Sequence, residues 1–401
     1  MRRSPMVFIF ITVLVDMLGY GMVVPLLPFY VQQQAGGALL AGALGSVYAL
    51  MQLLSGPALG MLSDHYGRRP VLLICLLGTS LAFMLLGLAN SLPLIFLAVV
   101  FDGITGGNLT TAYAYIADIT PPAQRSRGMG LVGAAFGLGM IAGPALGGLL
   151  SAQGLALPAF CAAGVALANA LFGFFTLPES LPRARRTPGF AWHGLNSVAQ
   201  LRGLPGLGAG RLLLAAIFTL NLAFVGLQTN FPLFSRARFG WSSLQNGLFF
   251  AYVGVCAVVV QGLIFRWLQP RLGERRLAQT GLGLMAIGLA GVALAPAAWQ
   301  LYPLIGLVAL GSGISIPALT GLISVQVRAD AQGRLMGGMQ ALLSLTSILG
   351  PALAGLAFEQ AGPPAPYTLG GLLALVALVF AFYGLRTRSQ LPAPGGEPIP
   401  D

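Results

Sequence analysis

Apolar residues run through this chain in long blocks separated by short polar loops. The first block, VFIFITVLVDMLGYGMVVPLLPF (7–29), holds one charge, Asp16. Apolar blocks of roughly 20 residues are long enough to cross a bilayer as helices. Twelve are legible, at 6–31, 39–62, 71–89, 92–118, 127–151, 157–177, 211–234, 243–267, 277–296, 299–327, 335–358 and 365–385. Apolar and polar positions do not alternate within them as in barrel strands, and only helices or closed barrels satisfy the backbone in lipid. The pattern predicts an all-α membrane protein with twelve transmembrane helices. The first block is too long for a secretory signal, contains Asp16, Pro25 and Pro28, and is followed by no small-x-small cleavage site.

Composition agrees: 56% of the 401 residues are hydrophobic and 8% charged, against about 25% charged in soluble domains. The net charge of +11 raises nucleic acid as a partner, but the placement of the arginines answers it. There is no Lys, and 19 of the 21 arginines fall on the side of the N-terminus; Arg236 and Arg238 are the exceptions. This positive-inside pattern places both termini in the cytoplasm, so the charge reports topology. Cys75, Cys161 and Cys256 are scattered in apolar blocks, and His65 and His193 fall in loops. They form no metal-ligand or disulfide spacing. No phosphate loop or Ser/His/Asp arrangement is present, so the reading is neither an enzyme nor a cofactor protein.

The halves repeat. GPALGGL at Gly143–Leu149 returns as GPALAGL at Gly350–Leu356, 207 residues on. The same offset carries Arg127 to Arg334, Gly106 to Gly313 and Pro144 to Pro351. The expected organisation is a six-helix bundle at 1–177, a Pro- and Arg-rich cytoplasmic linker at 178–210, a second bundle at 211–388 and a disordered Pro/Gly-rich tail at 389–401. Within the linker, HGLNSVAQLRGL is either an amphipathic surface helix or a plain loop. A parallel six-plus-six repeat is a transporter plan, with the substrate site near the midplane between the halves.

Two motifs sharpen this. The loop after the second block reads GMLSDHYGRRP, Gly60–Pro70. Gly60 permits close helix approach, Gly67 lets the backbone reverse, Asp64 can sit at a helix N-terminus, and Arg68 and Arg69 anchor the loop. The fifth block reads GAAFGLGMIAGPALGGLL, in which Gly139, Gly143 and Gly147 are four apart, beside Pro144 and Gly148. A four-residue step of small residues makes a face on which another backbone can pack, and Pro144 removes a backbone donor. Gly350 and Pro351 repeat it.

The first of these motifs resembles the G-x-L-x-D-x-x-G-R-R signature of the major facilitator superfamily. The second resembles the fifth-span motif of its antiporter branch. Asp16, Gly19, Pro25 and Pro28, with DGITGGNLTTAYAYIADIT in the fourth span, are similar to the twelve-helix drug/proton antiporters, tetracycline exporters among them. The resemblance implies that Asp64 meets the start of span eleven near Arg334, the repeat counterpart of Arg127, as a conformational latch. Asp118, at the end of the fourth span, is read as a partner for loop arginine. Many of these exporters carry an Arg four residues before the glycine corresponding to Gly103; here the position is Val99. Coupling schemes that lean on that Arg do not carry over, which leaves Asp102 as a candidate.

A charged Asp in the middle of a membrane helix costs roughly 2.5–3.5 kcal/mol on insertion scales. Asp16 and Asp102 have no Arg in any span to pair with. Each can serve as a proton carrier, neutral in one conformation and ionised in another, or can be permanently hydrogen-bonded and specify packing. Asn108, Asn221 and Gln228 are candidate cavity residues, the last two seven apart on one helical face, with interhelical bonding as the alternative. Tyr20, Tyr113 and Phe224 are candidate aromatic walls. Glu359, near an outer helix end, is expected to be solvated. The function expected is proton-coupled export of small lipophilic cations or zwitterions by a monomer in the plasma membrane, driven by the proton gradient. The alternatives are transport of a native metabolite (sugar, peptide precursor or lipid) and, in a different class, a sensor built on the same fold.

Overall fold

The computed structural model describes residues 5–121, 125–187, 210–325 and 332–388. Among the described residues every regular element is helical. In chain order they are α1 (Pro5–Val23), α2 (Leu27–Gln33), α3 (Ala38–Tyr66), α4 (Arg68–Gly87), α5 (Leu92–Thr105), α6 (Asn108–Ile119) and α7 (Arg125–Ser151). There follow α8 (Ala156–Thr176), α9 (Gly210–Phe239), α10 (Ser243–Val259), α11 (Phe265–Leu294), α12 (Leu301–Ser324), α13 (Gln332–Ala361) and α14 (Ala365–Arg388). A 3-10 turn at Val24–Leu26 joins α1 to α2. Pro25 and Pro28 sit at the starts of that turn and of α2, where a missing N–H is tolerated best.

Eleven helical stretches are long and apolar enough to span a bilayer, and one of them, Ser243–Leu294, is 52 residues long. As a straight helix it would measure about 78 Å, more than twice the hydrocarbon thickness of about 30 Å. It turns at Gly273 (φ 70, ψ 163), a left-handed backbone that glycine accepts without a Cβ penalty. The stretch therefore comprises two spans, the eighth and ninth, and the twelve apolar blocks all have helical counterparts. The fourth block departs from expectation in being two helices, α5 and α6. A π-helical turn at Val260–Ile264 also interrupts the eighth span.

Contacts group the chain into two units. The first takes residues 1–197, 226–255 and 347–366. Within it α1 runs along α7 and α8, α4 along α5 and α8, and α3 along α5. The small face of α7 explains the first pairing: a methyl at Gly143 would lie 2.8 Å from Gly21 Cα, and one at Gly139 2.6 Å from Met17 Cβ. One core gathers Ile9, Val13, Leu72, Tyr115 and Val132; another gathers Leu26, Val31, Leu44, Phe83 and Ile95.

The sequence repeat reappears here as a repeated contact. Gly247 of α10 faces the Pro144 carbonyl and Gly148 of α7, and a methyl on Gly247 would lie 2.6 Å from Gly148 Cα. Gly42 of α3 faces the carbonyl of Pro351 on α13, and Gly355 lies against Ala38 and Leu39. Pro144 and Pro351, and Gly148 and Gly355, are 207 residues apart. Both copies of the motif thus receive the backbone of a second helix in the same way. Beside the second copy, the Leu39 N–H donates to Glu359 Oε1 at 2.9 Å. Glu359 is exposed, as expected, and it also supplies an acceptor to the first turn of α3, where the helix dipole favours an anion.

The second unit takes residues 198–225, 256–346 and 367–401. Its tightest pairing is α11 with α12. Gly281, Gly288 and Gly311 allow it: a methyl at Gly288 would meet Val308 Cγ2 at 2.7 Å. Leu282, Leu289, Ala318 and Tyr367 are fully buried.

A carboxylate cluster at a broken helix

The fourth span gives way at Gly106 and Gly107, between α5 and α6. Each glycine costs a helix about 0.5–1 kcal/mol relative to alanine, so two adjacent ones mark the weakest point of the span. A break in lipid needs its backbone groups bonded, and α3 supplies the partners. Ser55 Oγ donates to the Gly103 carbonyl at 3.1 Å, and Gln52 Nε2 to the Gly106 carbonyl at 3.3 Å. The Gly106 N–H donates to the Asp102 carbonyl at 2.6 Å. Gly103 makes the approach possible, since a methyl there would lie 2.7 Å from Met51 Cβ.

This break collects polar side chains. Asn108, buried at the first turn of α6, donates from Nδ2 to Asp16 Oδ2 of α1 at 3.1 Å. The Tyr20 and Tyr48 rings lie 5.7 Å apart. Asp102 stands at the same break: a methyl at Gly106 would lie 2.8 Å from the Asp102 carbonyl and 3.0 Å from the Tyr48 hydroxyl. Asp16 and Asp102 are each half-buried, and among the described residues neither belongs to an ion pair. Val99 is buried in the apolar core. Two carboxylates in one apolar neighbourhood, with amide and phenol groups beside them and no fixed cation, can take up a proton or a bound cation to offset their charge.

The structure thus brings Asp16, Tyr20, Asp102 and Asn108 together. Tyr113 is 37% exposed on α6 and has no described contact with them. Asn221 donates to Thr346 of α13, a bond between helices of the second unit. Phe224 is half-buried and Gln228 exposed. Tyr48, Gln52 and Ser55 escaped the sequence reading. Their spacing of four and three puts them on one face of α3, a polar stripe in an apolar span that was there to be seen.

At the other motif, Gly67 has φ +109, and α4 begins at the next residue. Arg68 is the hub: its guanidinium meets Asp64 Oδ1 at 2.6 Å, Asp118 Oδ2 at 3.0 Å and Ser63 Oγ at 2.6 Å. Its backbone N–H donates to Glu179 Oε1 at 2.9 Å, and Glu179 Oε2 lies 3.5 Å from Arg186. Asp64 stands in the last turn of α3, i,i+4 to Arg68 at the start of α4, and Glu179 accepts from the first N–H of α4. Arg69 donates to the Phe174 carbonyl at 2.5 Å and lies over the Phe174 ring. The Asp64 carbonyl and His65 Nδ1 bond the backbone of Thr187. Gly60 has open space around it. The side chains of Arg127 and Arg334, and hence the latch to span eleven, lie outside the described residues.

The model of the Major Facilitator Superfamily matches residues 9–298 and 262–399. The chain belongs to the Major Facilitator Superfamily. It is therefore a multi-pass membrane transporter of the superfamily fold and not an enzyme. It is 36% identical over 354 residues to the class C tetracycline resistance protein of Escherichia coli, covering 88% of this chain and 89% of that one. It is 34% identical to the class E protein of E. coli, over 88% and 87% of the two chains. The solved human organic anion transporter MFSD10 (TETRAN) superposes with a TM-score of 0.70 at 27% identity, over 94% of this chain and 98% of that one. Within the superfamily, this places the chain in the tetracycline-exporter-like branch.

Proposed function

We propose that the protein exports small lipophilic cations or zwitterions, tetracyclines among them, across the plasma membrane in exchange for protons, with both termini in the cytoplasm. The observation that carries this is the Asp16–Asn108 bond at the α5–α6 break, with Asp102 in the last turn before it, on a chain 36% identical to a tetracycline resistance protein. In this reading a proton and a cationic substrate compete for the same negative charge. Protonation from outside releases the substrate, and deprotonation inside restores the site. The glycine contacts of α3 with α13 and of α7 with α10 close one end of the path by alternating access, with the Arg68 network at the other. The proton gradient is the energy source, and the protein works as a monomer.

A second reading, transport of an organic anion or another native metabolite, draws on the likeness to MFSD10. Proteoliposomes with an imposed pH gradient separate the two. The first reading expects gradient-driven accumulation of tetracycline and of a lipophilic cation, and no accumulation of an organic anion. Accumulation of the anion alone overturns it.

A further inference from the structure

A groove lies on the second unit between α11 and α14, far along the chain from the carboxylate cluster. Its volume is about 590 Å³, and Gln279, Thr280, Leu378, Val379, Phe382 and Tyr383 line it. The lining is graded. Leu378 and Val379 form an apolar stretch, and Gln279 and Thr280 bring polar groups on α11. Phe382 and Tyr383 are 43% and 56% exposed, so the groove opens outward from the helices.

An arginine stands one turn from the lining on each helix. Arg276 precedes Gln279 and Thr280 by three and four residues, which puts it on their face of α11. Thr280 Oγ1 donates to the Arg276 carbonyl at 2.8 Å. On α14, Arg386 follows Phe382 by four residues, and its guanidinium lies 5.2 Å from the Phe382 ring centre. Both arginines are exposed. The ninth and twelfth spans cross in opposite senses, so the start of one and the end of the other fall on the same side, and Arg276 and Arg386 each lie one helical turn beyond the groove lining. Gly273 breaks the backbone just before Arg276, so the following helical segment starts there and adds its positive dipole end. Glu274, the acid in this turn, lies against Gly321 of α12.

We infer that this groove is a binding site for an anionic phospholipid, with an acyl chain along Leu378 and Val379 and the phosphate between Arg276 and Arg386. Bulk lipid covers any apolar face. The charge complementarity at one end and the amphipathic Tyr383 at the polar boundary single out a negative headgroup.

The test is native mass spectrometry of the full chain in detergent with added phosphatidylglycerol or phosphatidylcholine. Two arginines near the headgroup correspond to roughly a thirtyfold preference for the anionic lipid. Arg276→Gln with Arg386→Gln should reduce the preference to near unity, and Arg276→Lys with Arg386→Lys should keep most of it. Leu378→Trp, which fills the groove and leaves every arginine in place, should cut phosphatidylglycerol binding at least tenfold. Equal binding of the two lipids by the unaltered protein overturns the inference. So does an unchanged preference in the Gln pair, or wild-type retention by Leu378→Trp.

Discussion

Replacing Gly247 by alanine should shift the conformational balance of the transporter rather than simply weaken it. The new methyl would stand 2.6 Å from Gly148 Cα and 2.9 Å from Gly148 N, against the Pro144 carbonyl as well. All of these are backbone atoms of α7, so no side chain can rotate away and the helices must separate. Overpacking of this kind costs about 1–3 kcal/mol. In a transporter that opens alternately at its two ends, the cost falls on states in which α7 and α10 touch. The balance then moves toward states in which they part by about 5- to 150-fold. Ser151 reports on it: it is 7% exposed and bonds Ser243 at 2.8 Å at the same end of α7. With Cys75, Cys161 and Cys256 replaced by serine, Ser151→Cys should react with an impermeant maleimide faster by that factor once Gly247→Ala is added. Gly130→Ala, at a site with no atom within 4 Å, should leave the rate alone. An unchanged rate with a lowered melting temperature would refute the reasoning, because the contact would then be permanent packing.

Three further outcomes follow from named contacts. Arg68→Gln removes the guanidinium from Asp64 and Asp118 at a buried site and should cost about 1–3 kcal/mol, read as a lowered melting temperature in detergent. Glu359→Ala deletes the acceptor for the Leu39 N–H, a capping loss of about 0.5–2 kcal/mol, and should accelerate labelling at Ser151→Cys in the manner of Gly247→Ala, since each contact joins two helices beside a copy of the Gly-Pro motif. Gln52→Ala leaves the Gly106 carbonyl at the helix break without that donor and should slow transport while leaving expression intact, measured by uptake per folded molecule.

The spans were legible because lipid imposes a length: apolar runs near 20 residues can do little else. The repeat was legible because Gly143-Pro144 and Gly350-Pro351 each have to admit another backbone, and few other residues would fit. The break at Gly106–Gly107 was less visible, since glycine is common here (56 residues) and most copies sit inside continuous helices. The eighth and ninth spans were separable in sequence by the charged loop around Glu274. The exposure of Glu359 was legible, but its bond to Leu39 was not, because the partner is 320 residues away and no local pattern announces a bond at that range. The role of Glu179 at the start of α4 was illegible for the same reason. Asp16 and Asp102 stood out for the opposite reason, a cost in lipid that any sequence shows.

The central claim is that the Asp16–Asn108–Asp102 cluster exchanges a proton for substrate. Its most direct measurement is proton release on adding tetracycline to the purified protein in weakly buffered detergent, followed with a pH-sensitive dye. The unaltered protein should release protons as substrate binds, Asp16→Asn and Asp102→Asn should each be assigned by the release that is lost, and the double variant should release none and fail to drive uphill transport in proteoliposomes. A double variant that still releases protons and still accumulates substrate against its gradient would contradict the account.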